Sequence, residues 1–226
     1  MKKKNLLTAA ASLALVAVIG VGATLAYFTD KTGTKTNAFG MGKVDISISD
    51  TSPELEGAKQ GTETDAGVEY DDVMPGDLLS KKVAVNVENG SAPCYVAVKV
   101  EVANEVEGSV PTVVELNGLV TAAVQAYDAK KGVSVEEPTW WPVEGEDCVY
   151  YVYNTAVSPE TGKDLVLFDS IDIPDAWNNA YAGCNFSIVV SAYAVQEANV
   201  SMEDFQYMLA KGTTADGGQI EFEALN

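Results

Sequence analysis

Val83-Ala84-Val85-Asn86-Val87-Glu88-Asn89-Gly90-Ser91-Ala92-Pro93-Cys94-Tyr95-Val96-Ala97-Val98-Lys99-Val100-Glu101-Val102 decides the fold class. In its first part Val83, Val85 and Val87 alternate with Lys82, Ala84 and Asn86. In its last part Val96, Val98, Val100 and Val102 share one side. A period of two places alternate side chains on opposite faces of a pleated chain, so both parts read as β-strands with one buried face. Asn89-Gly90 between them is a strong turn signal, of the kind that closes hairpins.

The same pattern recurs on either side. Val44, Ile46 and Ile48 alternate with Asp45, Ser47 and Ser49, a further half-buried strand. Cys148 to Tyr153 holds three tyrosines and two valines, and Asp164 to Phe168 holds Leu165, Val166 and Leu167. From Cys184 to Gln196, Phe186, Ile188, Val190, Ala192 and Ala194 face one way, and Ser187, Val189, Ser191, Tyr193 and Val195 the other. Residues 50–76 are rich in Gly, Thr, Glu and Asp and read as a long, flexible acidic loop. The segment after Pro111 reads as a helix or as two short elements, because Gly118 interrupts its apolar residues. Pro174 to Tyr181 predicts a short helix with proline in its first turn. Ser201 begins another: its hydroxyl can cap free amides, Glu203 and Asp204 suit the positive end, and Met202, Phe205 and Leu209 form a stripe. The expected architecture is all-β: a jelly-roll-like antiparallel β-sandwich with two or three short helices.

The amino-terminal residues carry an address. Lys2, Lys3 and Lys4 precede an uncharged stretch from Leu6 to Ala26, and Thr24-Leu25-Ala26 presents small residues where a signal peptidase reads them. The alternative, an uncleaved anchor, is long enough to span a bilayer. The small residues crowding its outer end favour cleavage at Ala26–Tyr27. The expected division is a signal peptide over 1–26 and one secreted domain over 27–226, with 29–38 and 50–76 as flexible segments.

All 14 basic residues are lysine, and three lie in the signal. Beyond residue 26, 11 lysines face 33 Asp and Glu, a formal charge of −22. A surface of that sign cannot displace counterions from nucleic acid and is repelled by anionic lipid, so neither is an expected partner. It keeps copies apart in solution and draws divalent cations as loose counterions. The odd cysteine count (Cys94, Cys148 and Cys184) leaves at least one thiol unpaired or shared with another molecule, and no C-x-x-C motif is present.

Catalytic machinery is not expected. The chain has no His and no Arg, which removes Ser-His-Asp and Cys-His pairs and His-ligated zinc. Phosphate-binding glycine loops are missing as well. Carboxylates cluster at Asp71, Asp72 and Asp77, at Glu144, Glu146 and Asp147, and at Asp169, Asp172 and Asp175. In a chain with 33 acids such runs are usually solvated faces. No catalytic, cofactor or metal residue is therefore assigned. Trp140 and Trp141 could stack on sugar rings, but a Trp pair beside prolines is more often a core edge.

Several pieces resemble the TasA/camelysin family of Gram-positive bacteria. They are Ala23-Thr24-Leu25-Ala26-Tyr27-Phe28-Thr29-Asp30, Asn37-Ala38-Phe39, Gly42-Lys43-Val44-Asp45-Ile46, Met74-Pro75-Gly76-Asp77, Asn89-Gly90, Cys94-Tyr95-Val96-Ala97-Val98-Lys99-Val100 and Ala192-Tyr193-Ala194-Val195-Gln196. Residues 103–147 match nothing in it. The resemblance implies a signal cut by a peptidase of the SipW type, a jelly-roll domain, and assembly into extracellular biofilm fibres in which the N-terminal strand of one subunit completes the sheet of the next. Camelysin-type members are classed as metallopeptidases. The absence of His departs from an ordinary zinc protease, and that activity is not carried over.

The expected function is thus a secreted matrix or cell-surface structural protein that self-associates by strand addition, with other matrix proteins as further partners. The assembly strand is Val44, Ile46 and Ile48, which lies between two polar segments. A surface peptidase and a glycan-binding adhesion module using Trp140, Trp141 and Tyr151 are the alternatives.

N-terminal sequencing of the protein from culture supernatant should begin at Tyr27 or within a few residues of it; an intact Met1 on the secreted form would refute the signal reading.

Overall fold

The computed structural model describes residues 30–32, 44–65, 67–104, 110–159, 164–181 and 183–211. The expected signal and its Ala26–Tyr27 junction lie outside the described residues. Eleven strands are found among those that are described: β1 (Asp30–Thr32), β2 (Ile46–Thr51), β3 (Lys59–Gln60), β4 (Thr62–Thr64), β5 (Gly67–Glu69), β6 (Leu78–Val87), β7 (Cys94–Asn104), β8 (Trp140–Glu144), β9 (Val149–Tyr153), β10 (Asp164–Asp172) and β11 (Phe186–Gln196). Two α-helices accompany them, α1 (Val113–Lys130) and α2 (Met202–Lys211).

The strands form a five-stranded sheet in the order β1-β11-β7-β9-β8 and a second sheet in the order β10-β6-β2, with β3 beside β6. Every pairing is antiparallel except β3 with β6. The two sheets face each other over one core. Val96, Val98, Val100, Tyr151, Ala192 and Ala194 from the first meet Ile46, Val83, Val85, Leu165 and Leu167 from the second. All of these are buried, and each large side chain so covered contributes about 1.5–3 kcal/mol. The chain is therefore mostly antiparallel β, as its alternating patterns require.

Three local expectations are revised. The Asn89-Gly90 turn, with Gly90 at a φ of 86°, does not fold the two valine-rich strands into a hairpin. It carries the chain from β6 in one sheet to β7 in the other. Alternation sees a buried face on each strand but not which strand it pairs with. Residues 50–76, read as a loop, contain β3 and the small hairpin β4–β5, and residues 30–32 of the polar segment 29–38 form β1. Their short, polar pairings leave almost no periodic apolar signal. Pro174 to Tyr181 holds turns and a single 3-10 turn, Asn179–Tyr181, in place of a helix.

The segment after Pro111 is one helix of 18 residues. Thr112 caps it: the Glu115 amide donates to Thr112 Oγ1 at 3.3 Å, while the Thr112 amide donates to Glu115 Oε2 at 2.7 Å. This reciprocal pair satisfies two otherwise free amides. Leu116, Leu119, Val120, Ala123 and Val124 turn into the core, and α1 packs along β10 and β7. Gly118 interrupts nothing, because no heavy atom lies within 4 Å of where its Cβ would be, on a face the core does not need.

The first sheet is buried on both faces over half its length. Ala97, Tyr150, Val152, Tyr193 and Val195 point away from the main core and are covered by Phe205, Met208 and Leu209 of α2. Where that cover ends the outer face becomes polar: Lys99 pairs with Glu101 at 2.7 Å, and Val189 is exposed.

The edge strands β8 and β10 of the two sheets are tied by one bond. Trp140, 1% exposed, donates its indole Nε1–H to the Val166 carbonyl at 2.9 Å. Trp140→Phe should keep most of the ring and strand that carbonyl. We expect a loss of at least about 1 kcal/mol, read as a lower urea midpoint with an unchanged slope.

Candidate functional site

With no catalytic constellation in the sequence, the features able to act on another molecule are the sheet edges and the exposed side chains beside them. An edge strand leaves a row of backbone N–H and C=O groups without partners, and these can pair with another chain.

Four edges bound the two sheets. The β8 edge carries Pro142, which has no N–H to offer and resists strand addition. The β10 edge gives its Val166 carbonyl to Trp140 and is flanked by α1, whose Lys130 reaches Asp169 at 2.7 Å and Ser170 at 3.2 Å. The β2 edge runs beside β1 and β11 and, at its far end, under β5. There Gly67, at a φ of 132°, lies against Asp50; a Cβ on it would sit 3.2 Å from Asp50 Oδ2. The β11 edge is the exception. β1 covers only Ala192, Tyr193 and Ala194, and no strand lies beside Phe186–Ser191 on that side among the described residues. Phe186, Ile188 and Val190 lean against the core there, half-buried.

The expected assembly strand is described as β2. Ile46 is fully buried, and Val44 and Ile48 are half-buried against the core. The strand runs over Ile46–Thr51, and it is paired within its own chain: Ile46 with Val87, Ile48 with Val85, Asp50 with Val83. Its entrance is also fixed, since the Glu88 amide donates to the Asp45 carbonyl at 2.8 Å and the Asp45 amide to Ser91 Oγ at 3.1 Å. Asp50 accepts twice from the buried Lys81, at 2.6 and 2.7 Å.

Several acids of the three clusters have structural partners. Asp77 Oδ2 accepts from the Met74 amide at 2.8 Å and so holds the Met74-Pro75-Gly76 turn. Asp175 lies against Gly76, and Asp169 pairs with Lys130. Among the described residues no group of three or more His, Cys, Asp or Glu could hold a metal ion. Of the tryptophan pair, Trp140 is core and Trp141 faces outward, 42% exposed.

Two features escaped sequence reading. Glu115 accepts from Tyr181 Oη at 2.6 Å as well as from Thr112, and these bonds, Tyr181's first, hold its carboxyl below the usual range. The T-x-x-E spacing of Thr112 and Glu115 was the available signal. Tyr70, within the expected loop, donates to the Ser80 carbonyl at 2.5 Å and is pushed up to about 12, mainly by burial. No sequence signal foretold that contact.

All three cysteines are free thiols. Cys94 is fully buried, and its backbone pairs with Val157 in both directions, at 2.8 and 3.0 Å. Burial first, and then the charge of Glu197, push its thiol from 9.0 up to about 12. Burial likewise raises Tyr150.

No protein-family model, no curated protein and no solved structure matches the chain.

The raised acids fix the sign of an alkaline transition. Each holds its proton in the folded state after the unfolded chain has lost it, so stability is full below the unfolded values and falls as pH rises through them. Urea midpoints should therefore be level below about pH 8.5 and decline between about pH 9 and 12. Cys94→Ala should flatten the first part of that decline, and Cys94 should resist thiol reagents at pH 8 until the protein unfolds. A wild-type midpoint that does not fall over this range would contradict the assignment.

Proposed function

We propose that this is a secreted structural protein of the bacterial cell surface or extracellular matrix, related to the TasA/camelysin group, with a jelly-roll-like sandwich that assembles with copies of itself by strand addition. The reading assigns it no catalytic role. Its partners are other copies, a signal peptidase of the SipW type during export, and other matrix proteins.

The observation that carries this reading is the half-covered β11 edge. β1 pairs there over three residues, Asp30 with Ala194 through Thr32 with Ala192. A strand added in the lane of β1 would lie beside Phe186–Ser191. Such a strand can come from the same chain or from a neighbour. Main-chain bonds supply affinity, and the alternating apolar positions Phe186, Ile188 and Val190 supply register. The donor in this reading is the segment containing β1. In this reading Val44, Ile46 and Ile48 stay in the body of the subunit, where β2 pairs with β6.

Charge then controls the encounter. Copies at −22 repel one another, and protonating carboxylates near their reference values of about 4 lowers that barrier. Light scattering and negative-stain fibre counts should rise as pH falls from about 7 toward 4, and added salt at neutral pH should partly mimic the effect. A peptide spanning residues 27–38 in excess should suppress fibres. One spanning residues 44–50 should not, having no vacancy to fill, while Ile46→Asp should simply lower the melting temperature. A protein that stays monomeric under all these conditions would end the assembly reading.

A further inference from the structure

Among the described residues Lys81 is the one buried lysine, 4% exposed. It stands on β6, the middle strand of the second sheet, flanked at a spacing of two by the buried Leu79 and Val83. Asp50 of β2 lies opposite Val83, so Asp50 and Lys81 are diagonal neighbours on one face. Toward β10 the ladder shifts: β6 has one residue more between Ser80 and Val83 than β10 has between Ser170 and Phe168. Such bulges re-aim side chains. Lys81 Nζ lies 2.7 Å from Asp50 Oδ1 and 2.6 Å from Oδ2. Contact with both oxygens brings the nitrogen to about 3 Å from Cγ, a near-attack distance. These are its two bonds among the described residues, so one proton of the ammonium finds no acceptor there. The pair is also covered, its side chains only 5% and 17% exposed. Gly67 of the β4–β5 hairpin lies against it, where a Cβ would sit 3.2 Å from Asp50 Oδ2. That hairpin is fastened down. The Ser52 amide donates to Glu63 Oε1 at 2.7 Å, the Gly61 amide to Ser52 Oγ at 2.9 Å, and the Tyr70 hydroxyl to the Ser80 carbonyl at 2.5 Å.

We propose that Lys81 and Asp50 condense into an intramolecular isopeptide bond, an amide that crosslinks β2 to β6. A proton passes from the Lys81 ammonium to the Asp50 carboxylate, which leaves a neutral amine and a neutral acid. The Nζ lone pair then attacks Cγ, a second Nζ proton moves to the departing hydroxyl, and one water leaves. Charge and atoms balance, and no oxidant or other reactant is needed. Three physical effects favour the step. Holding amine and acid in contact is equivalent to an effective concentration of about 10⁵–10⁸ M. Condensation removes two charges from a buried site, where desolvating them is costly. It also replaces an ammonium with a spare proton by a single amide N–H. The hairpin cover limits the water that would reverse the reaction. The product closes residues 51–80 into a covalent loop and fixes β2 to the centre of its sheet. The inference does not depend on assembly.

Mass spectrometry of the purified, denatured protein tests it. The wild-type chain, measured from its own N-terminus, should be lighter than its sequence by one water. Lys81→Met and Asp50→Ala should each show the full mass of their sequence. Protease mapping of the wild type should yield a branched peptide that joins the segment holding Asp50 to the segment holding Lys81. On denaturing gels the looped wild type should run ahead of both variants. Circular dichroism checks that the variants fold, and the wild-type mass and peptide map decide the matter even where a variant does not. A folded wild type with the full mass of its sequence would overturn the proposal. So would a water loss that maps to other residues or persists in Lys81→Met.

Discussion

Two sheets that share one core have edges as well as faces, and every backbone N–H and C=O along an edge needs a partner or water. This requirement organises the molecule. On one flank the demand is met by side chains and a helix: Trp140 spends its only polar atom on the Val166 carbonyl, and α1 lies along β10. Trp140 is among the largest fully buried side chains, so the same residue fills the core and ties the edges. On the other flank β2 and β11 lie side by side, with three residues of β1 set against β11. Among the described residues one flank is thus closed by packing and the other by a short strand.

The first sheet also needs cover on part of its outer side. β7 and β11 hold Ala97, Tyr193 and Val195 on the face away from the core, and water would leave these uncovered. Helix α2 covers them, and its stacking of Phe205 near Tyr95, at 6.4 Å, sets it over the start of β7. The half-buried polar part of the sheet, at Lys99, Glu101 and Ser191, begins where the helix stops. Helix α2 thus covers the outer face beside Tyr193 and Val195, while the outer face beside Phe186–Ser191 lies beyond it.

Electrostatics divides along the same lines. The few lysines are placed structurally: Lys81 on Asp50 within the protein, Lys82 on Asp164 and Lys130 on Asp169 along β10. Most of the acid faces water, where it opposes contact between copies until it is protonated or screened. Burial raises the thiol of Cys94 and the phenols of Tyr70 and Tyr150, so these groups are neutral at ordinary pH.

The sequence by itself determined that the chain is mostly β, which strands have buried faces, and that α2 begins at Ser201. These are local facts: a period of two in Val96 to Val102, a hydroxyl followed by Glu203 and Asp204. It also determined the sign of the surface and the absence of His chemistry, which are matters of composition. Only the tertiary structure decided that Asn89-Gly90 crosses between sheets, that α1 continues through Gly118, that β2 pairs with β6, and that among the described residues no strand lies beside Phe186 to Ser191 on the side away from β7. The physical reason is that a strand's pattern records how its side chains are buried. Which neighbours satisfy its backbone depends on residues far away in the chain, and the alternation of Ile46 and Ile48 would look the same in the middle of a sheet or at its rim.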